Sequence, residues 1–260
     1  MQRSLVGSEM CIRDRHGNKA KMKIICHMIS SVDGRLYPSR WGAPQEPADI
    51  TTLYEGAAKR FPAQGWIVGR TTMSDYCEEV KEGDPAPLRD ADAPASPAFV
   101  GSREGRPIAV AIDPKGKLLP EINALPTGEH LVLVLGPRVA ESHLAKLRAA
   151  GVSYVFEGEG KSNREKFAPA LKALEELFDA KTLLLEGGGI INGAFLTAGL
   201  IDEISVIVYP GLDALFGSAA IFGVKAPADQ MPGAGAHLRL LDNETLEGGA
   251  VWLHYDVKND

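Results

Sequence analysis

The residues best placed to do chemistry lie in two short corners of the chain. The first is LLLEGGGIIN at 183–192, where the carboxylate Glu186 directly precedes Gly187, Gly188 and Gly189. The second is WIVGRTTM at 66–73, where Gly69 precedes Arg70, Thr71 and Thr72. In each, a short apolar run suited to a buried strand ends in glycine, and a helical pattern follows. Glycine lets the backbone bend sharply and lets a ligand approach with no Cβ in the way. The helix start beyond it offers unpaired N–H groups and the positive end of a dipole, which suits a pyrophosphate. Arg70 adds a guanidinium able to hold a phosphate monoester at two points. Thr71 or Thr72 can cap the helix and present a hydroxyl. Two such corners on one sheet fit a dinucleotide with an extra 2′-phosphate. The plainer readings are a tight turn with no ligand and a surface arginine. Neither corner matches G-x-x-x-x-G-K-[ST] or G-x-G-x-x-G, so a P-loop and a Rossmann fingerprint are excluded.

The elements that must position these corners alternate. Strands are expected at 23–29, 66–68, 108–112, 131–135, 152–156, 182–185 and 204–209. Helices are expected at 49–61, with Asp49 as N-cap, at 139–150, at 167–178 and after the glycines of the first corner, and a further one starts in GRTTMSDYC. Two antiparallel strands, 237–241 and 251–257, close the chain around NETLEGG. This pattern predicts one α/β domain, with a mostly parallel central sheet flanked by helices and an antiparallel C-terminal edge. Residues 78–106, rich in Pro, Ala and Asp, read as a long loop excursion.

Composition narrows the partners. The chain has 260 residues, of which 45% are hydrophobic, enough for a full core. Its net charge is −6 and no long basic run occurs, which argues against nucleic acid. Three scattered cysteines, Cys11, Cys26 and Cys77, give neither a disulfide framework nor a zinc knuckle and suggest a reducing compartment, hence a cytoplasmic protein. No apolar run reaches membrane-span length. Residues 1–21 read as an extension outside the domain, either translated adapter sequence or a disordered native arm. Met22 then opens the domain, which extends to about residue 258.

With both corners placed, the chain resembles the reductase domain of bacterial riboflavin biosynthesis, a family with the dihydrofolate reductase fold. The resemblance runs from about residue 22 to 256. MISSVDGRL at 28–36 is similar to the family's first strand and its Ser-x-Asp-Gly loop. Ser39–Arg40–Trp41 is similar to its Ser-x-Trp, and Ile50–Thr51–Thr52 follows as it does there. RPIAVAIDPKGKLLP at 106–120 resembles the adenosine-side strand. LLLEGGGIINGAFLTAGLIDEISVIVYPGL at 183–212 resembles the longest signature and is the most specific piece.

The resemblance implies that NADPH reduces the ribosyl group of a ribosylamino-pyrimidine 5′-phosphate to ribityl, hydride passing to C1′. It places the cofactor on Gly187, Gly188, Gly189 and Thr72, with Trp41 beside it; Gly69, Arg70 and Thr71 are cofactor candidates from the second corner's own chemistry. It places Ser39, Arg60 and Glu186 on the substrate, with Arg60 near the 5′-phosphate. A carboxylate at 186 can accept from the amino groups of a diaminopyrimidine. Hydride transfer needs little acid–base machinery beyond positioning, so the only catalytic candidate is Asp33, which is equally a turn aspartate ahead of Gly34. His27 reads as a satisfied core histidine, and His143 and His254 lack metal-ligand spacing. A homodimer is also expected, with EISVIVYPGL at 203–212 as its apolar edge.

The sequence departs from the family at one place. Where Asp-Asp-Pro and a following arginine are usual, residues 74–90 read SDYCEEVKEGDPAPLRD, and DPAPLR is a displaced equivalent. The deaminase motifs H-x-E and P-C-x-x-C are absent, so the expected activity is that of a reductase alone. Two alternatives stay open: a reductase of another pteridine- or dihydrofolate-like or small oxidised substrate, and a nucleotide-binding module without catalysis.

Overall fold

A computed structural model describes residues 22–79 and 96–260. The extension at 1–21 and DPAPLR at 84–89 lie outside the described residues. Among the described residues, nine strands form one sheet: β1 (Lys23–Ser31), β2 (Gly65–Gly69), β3 (Ile108–Asp113), β4 (His130–Leu135), β5 (Ser153–Phe156), β6 (Thr182–Leu185), β7 (Glu203–Tyr209), β8 (Ala236–Thr245) and β9 (Val251–Asn259). Their order is β5-β4-β3-β2-β6-β1-β7-β9-β8. All pairings from β5 to β7 are parallel, and β9 and β8 add antiparallel. Parallel strands are covered on both faces, which is why β3 (IAVAID) and β4 (HLVLVL) are buried at every position.

Among the described residues, the helices α1 (Ile50–Ala58), α2 (Arg70–Met73), α3 (Glu141–Ala149), α4 (Asn163–Phe178) and α5 (Gly189–Thr197) cover the sheet. On one face, Phe167, Leu171, Leu174 and Phe178 of α4 and Phe195 of α5 pack with Ile24, Cys26, Ile67, Leu183 and Leu185. On the other, Met73, Leu144 and Leu147 pack with Val68, Ala111 and Leu133. Leu53 and Ala57 of α1 pack there with Ile207, Tyr209 and Trp252.

Local chemistry explains the element ends. Asp49 caps α1 as expected, accepting from Thr52 N at 2.7 Å. Helix α4 starts earlier than its apolar pattern suggests, because Ser162 and Glu165 form a reciprocal capping box. The C-terminal hairpin is longer than predicted. Strand β8 takes in Asn243–Glu244–Thr245, and the turn is made at Gly248 and Gly249, both at positive φ. The segment 203–209, expected at an edge, is interior, since β7 is paired with β1 and β9. The open edge at this side is β8. Within the expected long loop, Glu79 bridges to Leu118 and Phe99 to Tyr154, so both of its described ends are tied to the domain.

Candidate active site

The two glycine corners are neighbours. Strands β2 and β6 are adjacent and parallel, so their carboxyl ends lie side by side. From β2 the chain proceeds to β3, and from β6 it proceeds across β1 to β7. The connections diverge, which opens a crevice at the carboxyl ends of the two strands, the usual ligand position in such sheets. The corners also touch. Gly69 N donates to Gly187 O at 2.8 Å, and Glu186 N donates to Ile67 O at 2.8 Å. A Cβ on Gly69 would stand 2.7 Å from Cγ1 of Ile191 in α5.

The three consecutive glycines meet three different demands. Gly187 has φ +95°, a left-handed conformation that disfavours side chains. A Cβ on Gly188 would meet nothing within 4 Å, so this backbone borders open space. A Cβ on Gly189 would lie 2.1 Å from Ala220 O, because the 220–223 segment runs directly against α5. There Gly223 N donates to Gly189 O at 2.9 Å, and Asn192 Nδ2 donates to Ile221 O at 2.9 Å. Gly188 thus leaves room for a ligand, while Gly189 is fixed by packing. The first amides of α5, at Gly189 and Ile190, have no intrahelical acceptor, and Ile190 is well exposed. A pyrophosphate fits this cradle.

The second corner differs from its prediction. Helix α2 has only four residues and Gly69 is its N-cap, with no side-chain cap. Thr71 and Thr72 lie inside the turn, so neither caps it. Arg70 is ion-paired with Glu79, an acceptor that lies on the segment bridged to Leu118. Asp113 at the end of β3 is buried nearby, its Oδ2 accepting from Lys117 N and Leu118 N at 2.6 and 2.8 Å. Burial raises its pKa; the two amides and the Arg70 charge oppose the shift.

Glu186 follows Leu185, and Leu183 and Leu185 face α4 and α5. Alternation therefore turns Glu186 to the opposite face, toward α1. Burial, reinforced by the charges of Glu129 and Glu55 and opposed by hydrogen bonding with Tyr54, lifts its pKa to about 8. Glu129 accepts from Trp66 Nε1 at 3.2 Å, and the Trp66 and Tyr76 rings lie 6.4 Å apart. Burial and the neighbouring charges of Glu129 and Glu55 thus hold Glu186 well above the usual carboxylate range.

Asp33 is a clamp. It accepts from Ser31 Oγ at 2.7 Å, Asp213 N at 3.2 Å and Ala214 N at 2.9 Å. The serine hydroxyl, helped by those amides, holds its pKa at about 2. Such a carboxylate is a poor proton carrier near neutrality; it ties the 31–35 loop to the 213–214 loop. Arg40 strengthens the same junction through Asp213 at 3.0 Å. Ser39 is exposed in the 3-10 turn Pro38–Arg40. Trp41 stacks on Tyr209, with centroids 5.6 Å apart, and packs beside Gly211. Arg60 pairs with Glu244 at 2.7 Å and lies over the Trp252 ring at 4.2 Å. The structure therefore brings Gly69, Glu186 and Gly187–Gly189 together, while Asp33, Trp41 and Arg60 each have partners of their own.

His27 is satisfied at both ring nitrogens, as expected of a core histidine. His254 pairs with Glu203. Among the described residues no group of His, Cys, Asp and Glu could hold a metal, and no helix is long and apolar enough to cross a membrane. A surface hollow of about 410 Å³, lined by residues such as Pro44, Glu46 and Pro210, contains none of the predicted site residues. Tyr54, Trp66, Tyr76 and Glu129 were not legible as site residues. The one available signal for Tyr54 is its place beside buried Leu53 in α1.

Residues 22–250 match the RibD C-terminal domain family. The chain belongs to this family. None of the curated proteins matches it. Among solved structures, a pyrimidine reductase-like protein from Corynebacterium diphtheriae is 18% identical, with a TM-score of 0.61 and coverage of 94% of each chain. RibD of Acinetobacter baumannii is 20% identical with a TM-score of 0.56, and covers 92% of this chain. The chain spans only 59% of that RibD. The riboflavin biosynthesis reductase of Saccharomyces cerevisiae is 16% identical with a TM-score of 0.55, covering 93% of this chain and 92% of its own. At these identities the shared property is the fold, and it is the dihydrofolate reductase-like arrangement expected. Family membership supports an oxidoreductase of the riboflavin-biosynthesis class.

Proposed function

We propose that the protein is an NADPH-dependent reductase that converts the ribosyl group of a ribosylamino-pyrimidine 5′-phosphate to ribityl. The observation that carries this reading is the pair of glycine corners at one crevice, with Glu186 beside them on the α1 face. When bound, the dinucleotide supplies hydride. The chain's own residues do the holding. The backbone at Gly188 and the first amides of α5 receive the pyrophosphate, where a side chain would intrude. Arg70, whose guanidinium has further donors beyond the one used on Glu79, receives the 2′-phosphate, with Thr71 and Thr72 beside it. Glu186 accepts from an amino group of the pyrimidine. Ser39, Trp41 and Arg60 complete the assignment by resemblance, and Arg60 must leave Glu244 to reach a substrate phosphate.

Fluorescence titration with NADPH, followed by NADPH oxidation with the ribosylamino-pyrimidine phosphate, tests the proposal. Turnover with that substrate is the expected result. Binding without turnover on any pyrimidine or pteridine points instead to a nucleotide-binding module. The proposed enzyme is a cytoplasmic homodimer; a monomer mass by light scattering at micromolar concentration would count against the dimer.

A further inference from the structure

The stretch that departs from the family, 74–90, is described as far as Glu79, and that residue reaches the second corner. Glu79 accepts from Arg70 Nη1. Its backbone is held in place from the β3 side. Leu119 N donates to Glu78 O at 2.7 Å, and Glu79 bridges to Leu118. Asp113 Oδ2 in turn fixes the Lys117 and Leu118 amides. Arg70 stands beside that aspartate, because Gly69 is in register with Ile112 across β2 and β3. The guanidinium is thus met by a carboxylate delivered on a tied segment. The pair is only partly covered, with side chains 33% and 30% exposed. An ion pair at that exposure adds little to stability. It does stand at the carboxyl ends of β2 and β3, where ligands bind in such sheets.

We propose that Glu79 is the cofactor-selecting residue: it accepts from a free ribose 2′-hydroxyl and repels a 2′-phosphate, and so it weighs against the preference that Arg70 confers. The proposal rests on the reading in which this corner takes the adenosine ribose of a nicotinamide dinucleotide. A 2′ substituent within reach of Arg70 is then within reach of the carboxylate that Arg70 already holds. The two substituents meet that carboxylate differently. A hydroxyl donates to it, and the Arg70–Glu79 pair stays intact. A phosphate brings further negative charge, competes with Glu79 for the guanidinium and is repelled in a site only partly open to water. The guanidinium serves both, with Nη1 on Glu79 and its remaining donors turned to the phosphate. One residue earlier, Glu78 carries the same charge on an exposed residue and makes the control.

Fluorescence titration of the full chain with NADPH and with NADH, at one fixed ionic strength, tests the proposal. Glu79→Gln keeps the shape and removes the charge. The ratio of the NADH to the NADPH dissociation constant is expected to rise about five- to tenfold, mainly through tighter NADPH. Adenosine 2′,5′-bisphosphate and 5′-AMP, titrated as competitors, should show the same change, because the selection is made at the ribose. Glu78→Gln should leave the ratio where it is. An unchanged or lower ratio in Glu79→Gln, or an equal rise in Glu78→Gln, overturns the proposal. A wild-type chain that binds neither dinucleotide overturns the dinucleotide reading and the selection with it. One that binds both, with a ratio that Glu79→Gln does not move, overturns the selection alone.

Discussion

The two glycine corners look alike in sequence and differ in what the fold makes of them. Both follow a buried strand and both precede a helix. The β6 corner leads into a nine-residue helix and leaves open space at Gly188. The β2 corner leads into a four-residue helix, and its arginine already has a carboxylate partner. The difference lies in what surrounds each corner. At β6, the 220–223 segment packs against Gly189 and Gly193 and supports α5 from the side, leaving its first turn exposed. At β2, Glu79 turns toward Arg70. The first corner is therefore built around a space, and the second around a charge already paired with Glu79.

The largest expected effect separates neighbouring glycines of the first corner. Gly189→Ala would set a methyl 2.1 Å from Ala220 O, and backbone on both sides has to move. We expect a loss of about 2–4 kcal/mol of stability, read by chemical denaturation. Gly188→Val, one residue earlier, meets no such obstacle. It should leave the melting temperature nearly unchanged and weaken NADPH binding by at least about tenfold, roughly 1.4 kcal/mol. If both variants lose stability alike, the space at Gly188 is not a binding space.

Glu186→Gln comes next. We expect kcat/KM to fall by about 1–3 kcal/mol equivalent with little change in NADPH affinity. Its effect on stability has a definite sign. In the folded chain Glu186 keeps its proton up to about pH 8, whereas the unfolded chain releases it near 4.5. The folded state thus binds more protons in this window, and wild-type stability falls as pH rises from about 4.5 to about 8. Glutamine removes that slope. The variant should melt higher than wild type at pH 8, and the gain should vanish toward pH 4. A lower melting temperature with unchanged kinetics would make Glu186 a structural buttress.

The smallest effect belongs to the second corner. Arg70→Ala should weaken NADPH about tenfold and leave NADH nearly untouched. Equal losses for both cofactors would remove Arg70 from the 2′-phosphate and leave its pairing with Glu79 as its purpose.

What was legible in the sequence follows from the range of the forces involved. Strand periodicity, the Asp49 cap and the glycine corners depend on neighbours in the chain, and the parallel sheet follows from their alternation. The separate purposes of Gly187, Gly188 and Gly189 depend on Met28 and Ala220, which only the fold brings near. The raised pKa of Glu186 depends on burial and on the charges of Glu129 and Glu55, which only the fold brings near. The same holds for Asp33, a turn aspartate by local pattern, whose role as a clamp is set by the amides of Asp213 and Ala214. The interior position of β7 was missed because an apolar run of that length reads the same at an edge as between two strands.

The most direct measurement is a single turnover with NADPH carrying deuterium at the transferable C4 position and the ribosylamino-pyrimidine 5′-phosphate as acceptor. The proposed function predicts one deuterium at C1′ of a ribityl product, and none when Gly188→Val replaces the wild-type chain at low cofactor concentration. Oxidation of NADPH with no label on the sugar, or no oxidation despite saturating NADPH, would contradict it.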